Sequence, residues 1–227
     1  MKTLTLLFGW LLSFPIALSA QTPADVLQKV SAALEDGRQE QAVSLFRQAV
    51  AAHTDKAEMF YWTDVDKTAA VAPALANELA SYYKRVRNYD KAYLFYKELL
   101  HTSPGNVDYL VACAETEMAR GREADALKTY EKVLTLDPDN LSANIFIGNY
   151  LYLKAEQEKQ QIENEYKKIT APTRMQYARY RDGLSRVLAT GYMKAKGYLQ
   201  RVVSRFPSTE AKKTLDKIRV IEKEVNR

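Results

Sequence analysis

The chain has 227 residues, with 33 basic and 28 acidic side chains for a formal charge of +5, and only 8 Gly and 7 Pro. That length is ample for a buried core, and a composition that is 47% hydrophobic and 27% charged excludes a disordered chain and favours helix. A single cysteine, Cys113, excludes a disulfide framework.

The first segment, residues 1–20, reads as a secretory signal peptide. Lys2 supplies the positive start, residues 4–12 the apolar run, and residues 15–20 a small-residue exit, so cleavage is expected near Ala20 or Gln21. A retained membrane anchor is the rival reading, but Ser13 and Pro15 interrupt a stretch already short of the roughly 20 apolar residues that a spanning helix needs. No cysteine follows the run, which argues against a lipid anchor. The mature chain, residues 21–227, is expected to be one domain, periplasmic or secreted, without a transmembrane segment.

Self-similarity organises the mature chain. Ala92 and Ala126 lie 34 residues apart, as do Tyr96 and Tyr130, Leu100 and Leu134, and Pro104 and Pro138. Residues 23–56 form an imperfect first copy through Val30, Ala33, Gly37, Ala42, Phe46 and Ala49, with Lys29 and Thr54 off pattern. An insert at residues 57–72 then carries Met59, Phe60, Tyr61 and Trp62, which either seal the seam where the spacing lapses or form an exposed aromatic binding patch. Residues 73–106 and 107–140 are the regular copies. Pro104 and Pro138 end each one, since proline lacks the N–H that extends a helix and disfavours helical geometry before it.

The fourth copy, residues 141–207, opens with Ile147, Gly148, Asn149 and Tyr152 and closes with Ala195, Leu199 and Pro207. The alanine expected at position 160 arrives 35 residues late, at 195. Strong helix formers fill residues 154–169, residues 170–173 break them at Pro172, and a second long helix is expected from 173 to 206. This predicts a projecting helical hairpin over residues 155–192. Leu215, Ile218, Val220 and Ile221 mark a last helix, residues 208–225, that caps the stack.

Residues 107–140 resemble a whole tetratricopeptide repeat, with Leu110, Cys113 and Ala114 in a first helix, Gly121 at the turn, and Ala126 and Tyr130 in a second. Residues 73–106 resemble another, through Leu79, Ala80, Tyr83, Ala92, Tyr96, Leu99 and Pro104. The resemblance, to an exported bacterial tetratricopeptide repeat protein, implies an all-α, right-handed helical solenoid. Such a fold stacks neighbours because one repeat cannot bury its apolar face alone. It also implies a concave groove, lined by the first helices, that receives a peptide or a partner helix. By position the groove residues are Asn77, Ser81, Lys84 and Arg85, then Asp108, Val111, Glu115 and Met118, then Ile145, Asn149 and Tyr152. Some members hold a terminal carboxylate with Lys, Arg and Asn side chains; here Glu115 and Asp108 face Lys84 and Arg85 and oppose an anion.

Charge is uneven along the chain: −3 over residues 21–72, +2 over 73–106, −4 over 107–140 and +9 over 141–227. Arg174, Arg181 and their basic neighbours alternate with Tyr177, Tyr180, Tyr192 and Tyr198, a pattern that suits nucleic acid but for the expected export. An anionic envelope surface, an acidic partner or a second copy of the chain fits better. The bland alternative is that Glu156, Glu158, Glu163 and Glu165 of the ascending helix neutralise the descending one. No metal-ligand spacing, phosphate-binding glycine loop or nucleophile motif occurs, and no cofactor is expected. The sequence therefore points to a non-catalytic scaffold or adaptor of the bacterial cell envelope, with a self-associating structural component or an anionic-surface binder through residues 173–206 as alternatives.

Overall fold

The structure, a computed structural model, describes residues 23–226; the expected signal peptide lies outside the described residues. Every regular element among them is helical. The chain divides into two compact units that meet in sequence between Asp64 and Val65.

The first unit contains α1 (Pro23–Glu35), α2 (Gln39–Ala52) and α3 (Thr54–Thr63). Gly37, with φ of +72°, makes the turn from α1 to α2, a conformation that L side chains resist. Val30, Ala33, Ala42, Phe46 and Ala49 are buried at the matching positions of the repeat. The extended backbone of His53 ends α2, and α3 then carries the aromatic insert. Phe60 and Tyr61 are buried, with the Phe60 ring 6.2 Å from that of Phe46. Met59 and Trp62 remain 64% and 41% exposed. Of the four residues of the cluster, two thus lie in the core of this unit and two on its surface.

The second unit stacks α4 (Ala72–Arg85), α5 (Tyr89–Thr102), α6 (Val107–Ala119), α7 (Glu123–Leu136) and α8 (Leu141–Lys167), each against its sequence neighbours. Asparagines start three of these helices. The side chains of Asn88, Asn106 and Asn140 accept from the backbone N–H three residues on, satisfying donors that a helix start leaves open. The buried Asn144 side chain donates to the carbonyls of Pro138 and Asn140, at 3.0 and 2.8 Å, fixing the junction into α8. At the turn between paired helices Gly121 has φ of +73°, and one repeat earlier Arg87 occupies the same left-handed region at +61°.

Cys113 and Glu117 sit one turn apart inside the α6–α7 contact. The Thr129 hydroxyl donates to Glu117 at 2.8 Å, and the Cys113 thiol lies 3.8 Å from the same carboxylate. Burial first, and then the charge of Glu117, pushes the thiol up to about 12. Burial likewise raises the phenols of Tyr130 and Tyr192.

Beyond α8 the chain returns through α9 (Arg174–Val187), a π-helical segment (Leu188–Tyr192) and α10 (Met193–Arg205), and ends in α11 (Thr209–Val225). A capping box opens α9: Thr173 Oγ1 accepts from the Gln176 N–H at 3.2 Å, and Gln176 Oε1 accepts from the Thr173 N–H at 2.8 Å. The sequence reading expects one continuous descending helix. A π segment interrupts it; Leu188 and Tyr192 within it are both buried, and Gly191 lies against Ala155. A Cβ on Gly191 would stand 2.6 Å from the Ala155 Cβ. Leu184, Val187, Leu199, Val202, Ile218 and Ile221 complete this core. Each such side chain contributes roughly 1.5–3 kcal/mol on burial.

Three outcomes are expected for stability. Arg87→Gly relieves left-handed strain and raises the unfolding free energy by about 1 kcal/mol. Gly191→Ala overpacks the hairpin contact and lowers it by about 1–3 kcal/mol, both read by urea denaturation. Because the fold holds the Cys113 thiol protonated, its contribution is full below pH 9.0, the ordinary thiol value, and is lost as pH rises towards about 12. Stability measured across that range declines, and Cys113→Ala makes the decline shallower.

Candidate partner-binding cleft and hairpin tip

The second unit carries a cleft of about 500 Å³ between α6, α7 and α8, lined by Glu115, Met118, Glu123, Tyr130, Ser142, Ile145, Phe146, Asn149, Tyr150 and Leu153. Its floor is aromatic. The Phe146 ring stacks on Tyr130 at 4.8 Å and on Tyr150 at 5.9 Å, and Leu153 extends the stripe with 59% of its surface exposed. Positions 146, 150 and 153 follow the four-then-three spacing that puts side chains on one helix face. Two carboxylates, Glu115 and Glu123, stand at the rim with the Asn149 amide.

Of the groove residues expected from the repeat, Glu115, Met118, Ile145 and Asn149 come together in this cleft. Lys84 reaches it indirectly, through an ion pair with Glu115 that crosses from α4 to α6. That pair occupies the cation a carboxylate clamp would use. Ser81 and Lys84 both act on the Tyr96 phenol, which burial nevertheless holds above its ordinary range. Arg85 is exposed and lies over the Tyr82 ring at 5.4 Å, and Asn77 is half-buried on α4. Neither of these two lines the cleft. Tyr152 turns to the hairpin base, its ring edge-on to Tyr192 at 5.9 Å.

Tyr130, Phe146, Tyr150 and Leu153 are the apolar cleft residues that sequence reasoning missed. Tyr130 reads as a packing residue of the repeat, and the stripe on α8 is the signal that would have found the others. Glu115 and Glu117, two apart on α6, point to different sides: one meets Lys84 and the other is buried beside Thr129.

The hairpin's charges are distributed differently from the expected cross-neutralisation. Glu156 accepts from the Tyr192 hydroxyl at 2.6 Å, Glu163 pairs with Lys159 at 3.0 Å on its own helix, and Glu165 accepts from Gln161. The basic residues near the base are engaged elsewhere. Arg181 donates to the Val225 carbonyl, Lys196 pairs with Glu222 at 2.8 Å, and Arg205 pairs with Asp139. Helix α11 thus lies along the hairpin, contacting α9 and α10, so only the outer part of the hairpin projects. At that end Tyr166 stacks on Tyr180 at 4.3 Å, with Tyr177 at 6.3 Å from Tyr166 and half exposed. Arg174 is exposed beside them. In the first unit, Phe60 and Tyr61 of the aromatic insert are buried, and Trp62 packs edge-on to Tyr61 at 5.0 Å.

Among the described residues no helix is long and apolar enough to cross a membrane. A tetratricopeptide repeat family model matches residues 86–145. No curated protein matches the chain. Among solved structures, a candidate protein binding protein from Bacteroides ovatus is 62% identical, covering 90% of this chain and 100% of its own, with a TM-score of 0.84. A tetratricopeptide repeat protein from Parabacteroides merdae is 15% identical, covering 88% of this chain and 73% of its own, with a TM-score of 0.40. The repeats, their turn residues and the stacked helix pairs agree with the family model, and the chain belongs to the tetratricopeptide repeat family.

Proposed function

We propose that the chain is an exported, non-catalytic adaptor of the bacterial cell envelope that holds a short peptide or helix of a partner protein in the cleft between α6 and α8. The observation that carries this is the aromatic floor of Tyr130, Phe146 and Tyr150 in an open cleft, bordered by carboxylates and an amide. An apolar floor gains from an anchoring side chain, and the Asn149 amide donates and accepts at once, which suits a peptide backbone. Glu123 and Glu115 favour a cation beside that anchor. The preferred segment is therefore a large apolar residue flanked by Lys or Arg. The Bacteroides ovatus relative, itself described as a candidate protein binding protein, supports the same reading. A binding role rather than catalysis is supported by Cys113, whose buried thiol is pushed up to about 12, away from the thiolate a nucleophile needs.

Peptide display against the full chain should select apolar anchors next to basic residues. Phe146→Ala should weaken a selected peptide by about 10- to 100-fold, the range of a central aromatic contact, whereas Tyr177→Glu at the hairpin tip should not. Equal binding by Phe146→Ala would remove the cleft from consideration.

The export proposal is tested separately. Expressed in a Gram-negative host, the chain should be recovered from the periplasm with a new N-terminus at or next to Gln21; full-length protein retained inside the cell would overturn it.

A further inference from the structure

We infer that the projecting end of the hairpin is a docking surface for an anionic phospholipid bilayer. Four basic side chains surround the tip, Lys167 and Lys168 at the end of α8 and Arg174 and Arg179 at the start of α9, and all four are exposed. Among the described residues no ion pair engages any of them, in contrast to Lys196 and Arg205 near the base. Of the acidic residues nearest in sequence, Glu163 is paired by Lys159 within α8, Glu165 accepts from the neutral Gln161 and keeps its charge, and Asp182 lies exposed three residues beyond Arg179. The four cations outnumber Glu165 and Asp182, so the tip keeps a net positive charge.

The apolar part of the tip is exposed as well. Met175 is 66% and Tyr177 50% accessible, beside the stacked pair Tyr166 and Tyr180. Tyrosine, with an apolar ring and a polar hydroxyl, settles at the boundary between headgroups and acyl chains, where one end is apolar and the other wet. Basic side chains add attraction to an anionic leaflet, about fivefold in affinity for each one near the surface. The capping box at Thr173 and Gln176 and the tyrosine cluster hold these groups in place before contact.

Shape decides between a bilayer and an acidic protein. A stable protein interface takes about 800 Å² from each partner. The tip offers a narrow convex end with two large exposed apolar side chains. A headgroup layer accepts such a wedge without a matching cavity. No described helix is long and apolar enough to span, so the contact is peripheral. It is independent of the cleft and of what the cleft holds.

The test uses the full chain carrying Tyr177→Cys, labelled with an environment-sensitive fluorophore; Cys113, 1% exposed, stays unlabelled under native conditions. Phosphatidylglycerol-containing vesicles should shift the emission to the blue. Phosphatidylcholine vesicles should not, and about 1 M salt, where the screening length falls to about 3 Å, should reverse the shift. A label at Ser204→Cys, near the hairpin base, should stay unchanged. Replacing Lys167, Lys168 and Arg174 by Gln should weaken vesicle binding by about a hundredfold, while replacing Lys212, Lys213 and Lys217 of α11 by Gln should leave it nearly intact. Equal losses from the two triple variants would reduce the effect to net charge and overturn the proposal. So would a silent label at position 177 with anionic vesicles, or one that responds to polyglutamate or to a second copy of the chain but not to lipid.

Discussion

The approach of Gly191 to Ala155 is the contact on which the second half of the molecule depends. Two helices come near enough there that no Cβ fits between them, and the closeness draws Leu188, Tyr192 and Leu199 into one core. Two turns below, a Cβ on Gly148 would stand 2.8 Å from the Leu199 side chain, a contact that a side chain rather than the backbone closes. A backbone-to-backbone fit of this kind has almost no freedom to slide, because interiors are packed as densely as organic crystals. The π segment is a consequence: the descending helix must present Gly191 to Ala155 and still return Ala195 and Leu199 to the register of the repeat. One wide turn reconciles the two demands.

Ion pairs play a smaller energetic part and a larger directional one. Lys84 with Glu115, Arg120 with Asp90 and Arg205 with Asp139 each join elements distant in sequence, and all are partly exposed. Pairs of that type contribute about 0–1 kcal/mol. Their effect is to use up charge along the body of the second unit. Among the described residues, Lys167, Lys168, Arg174 and Arg179 at the tip enter no such pair, and neither do exposed basic residues of the body such as Lys97, Lys128 and Lys212.

Much of this architecture was legible in the sequence because it rests on spacing. Ala92 and Ala126, Tyr96 and Tyr130, and the closing prolines carry the repeat, and the late arrival of Ala195 announces an inserted hairpin. The π segment was not legible, since Leu188 to Tyr192 fits α and π turns equally and only the partner helix selects between them. Half of the cleft was legible for a similar reason. Glu115, Met118, Ile145 and Asn149 are given by repeat position, whereas Phe146 and Tyr150 belong to a side of α8 that the repeat does not define. The tip resisted a sequence reading because pairing of charges is a matter of distance: Arg174 and Arg181 look alike in a row of basic residues, and only the fold ties Arg181 to the end of α11.

Helix α8 is a single rod that carries both the cleft-lining Phe146 and the tip residue Lys167. At about 1.5 Å per residue it sets these two places roughly 30 Å apart, so it acts as a ruler. A ruler made of helix can be cut only in certain lengths. Removing seven residues from each arm would shorten the reach by about 10 Å and turn the tip by about 20° relative to the cleft, while removing five would swing the tyrosine cluster to a different side. The length of the insertion thus encodes a height and a heading together, and drift in one is constrained by the other.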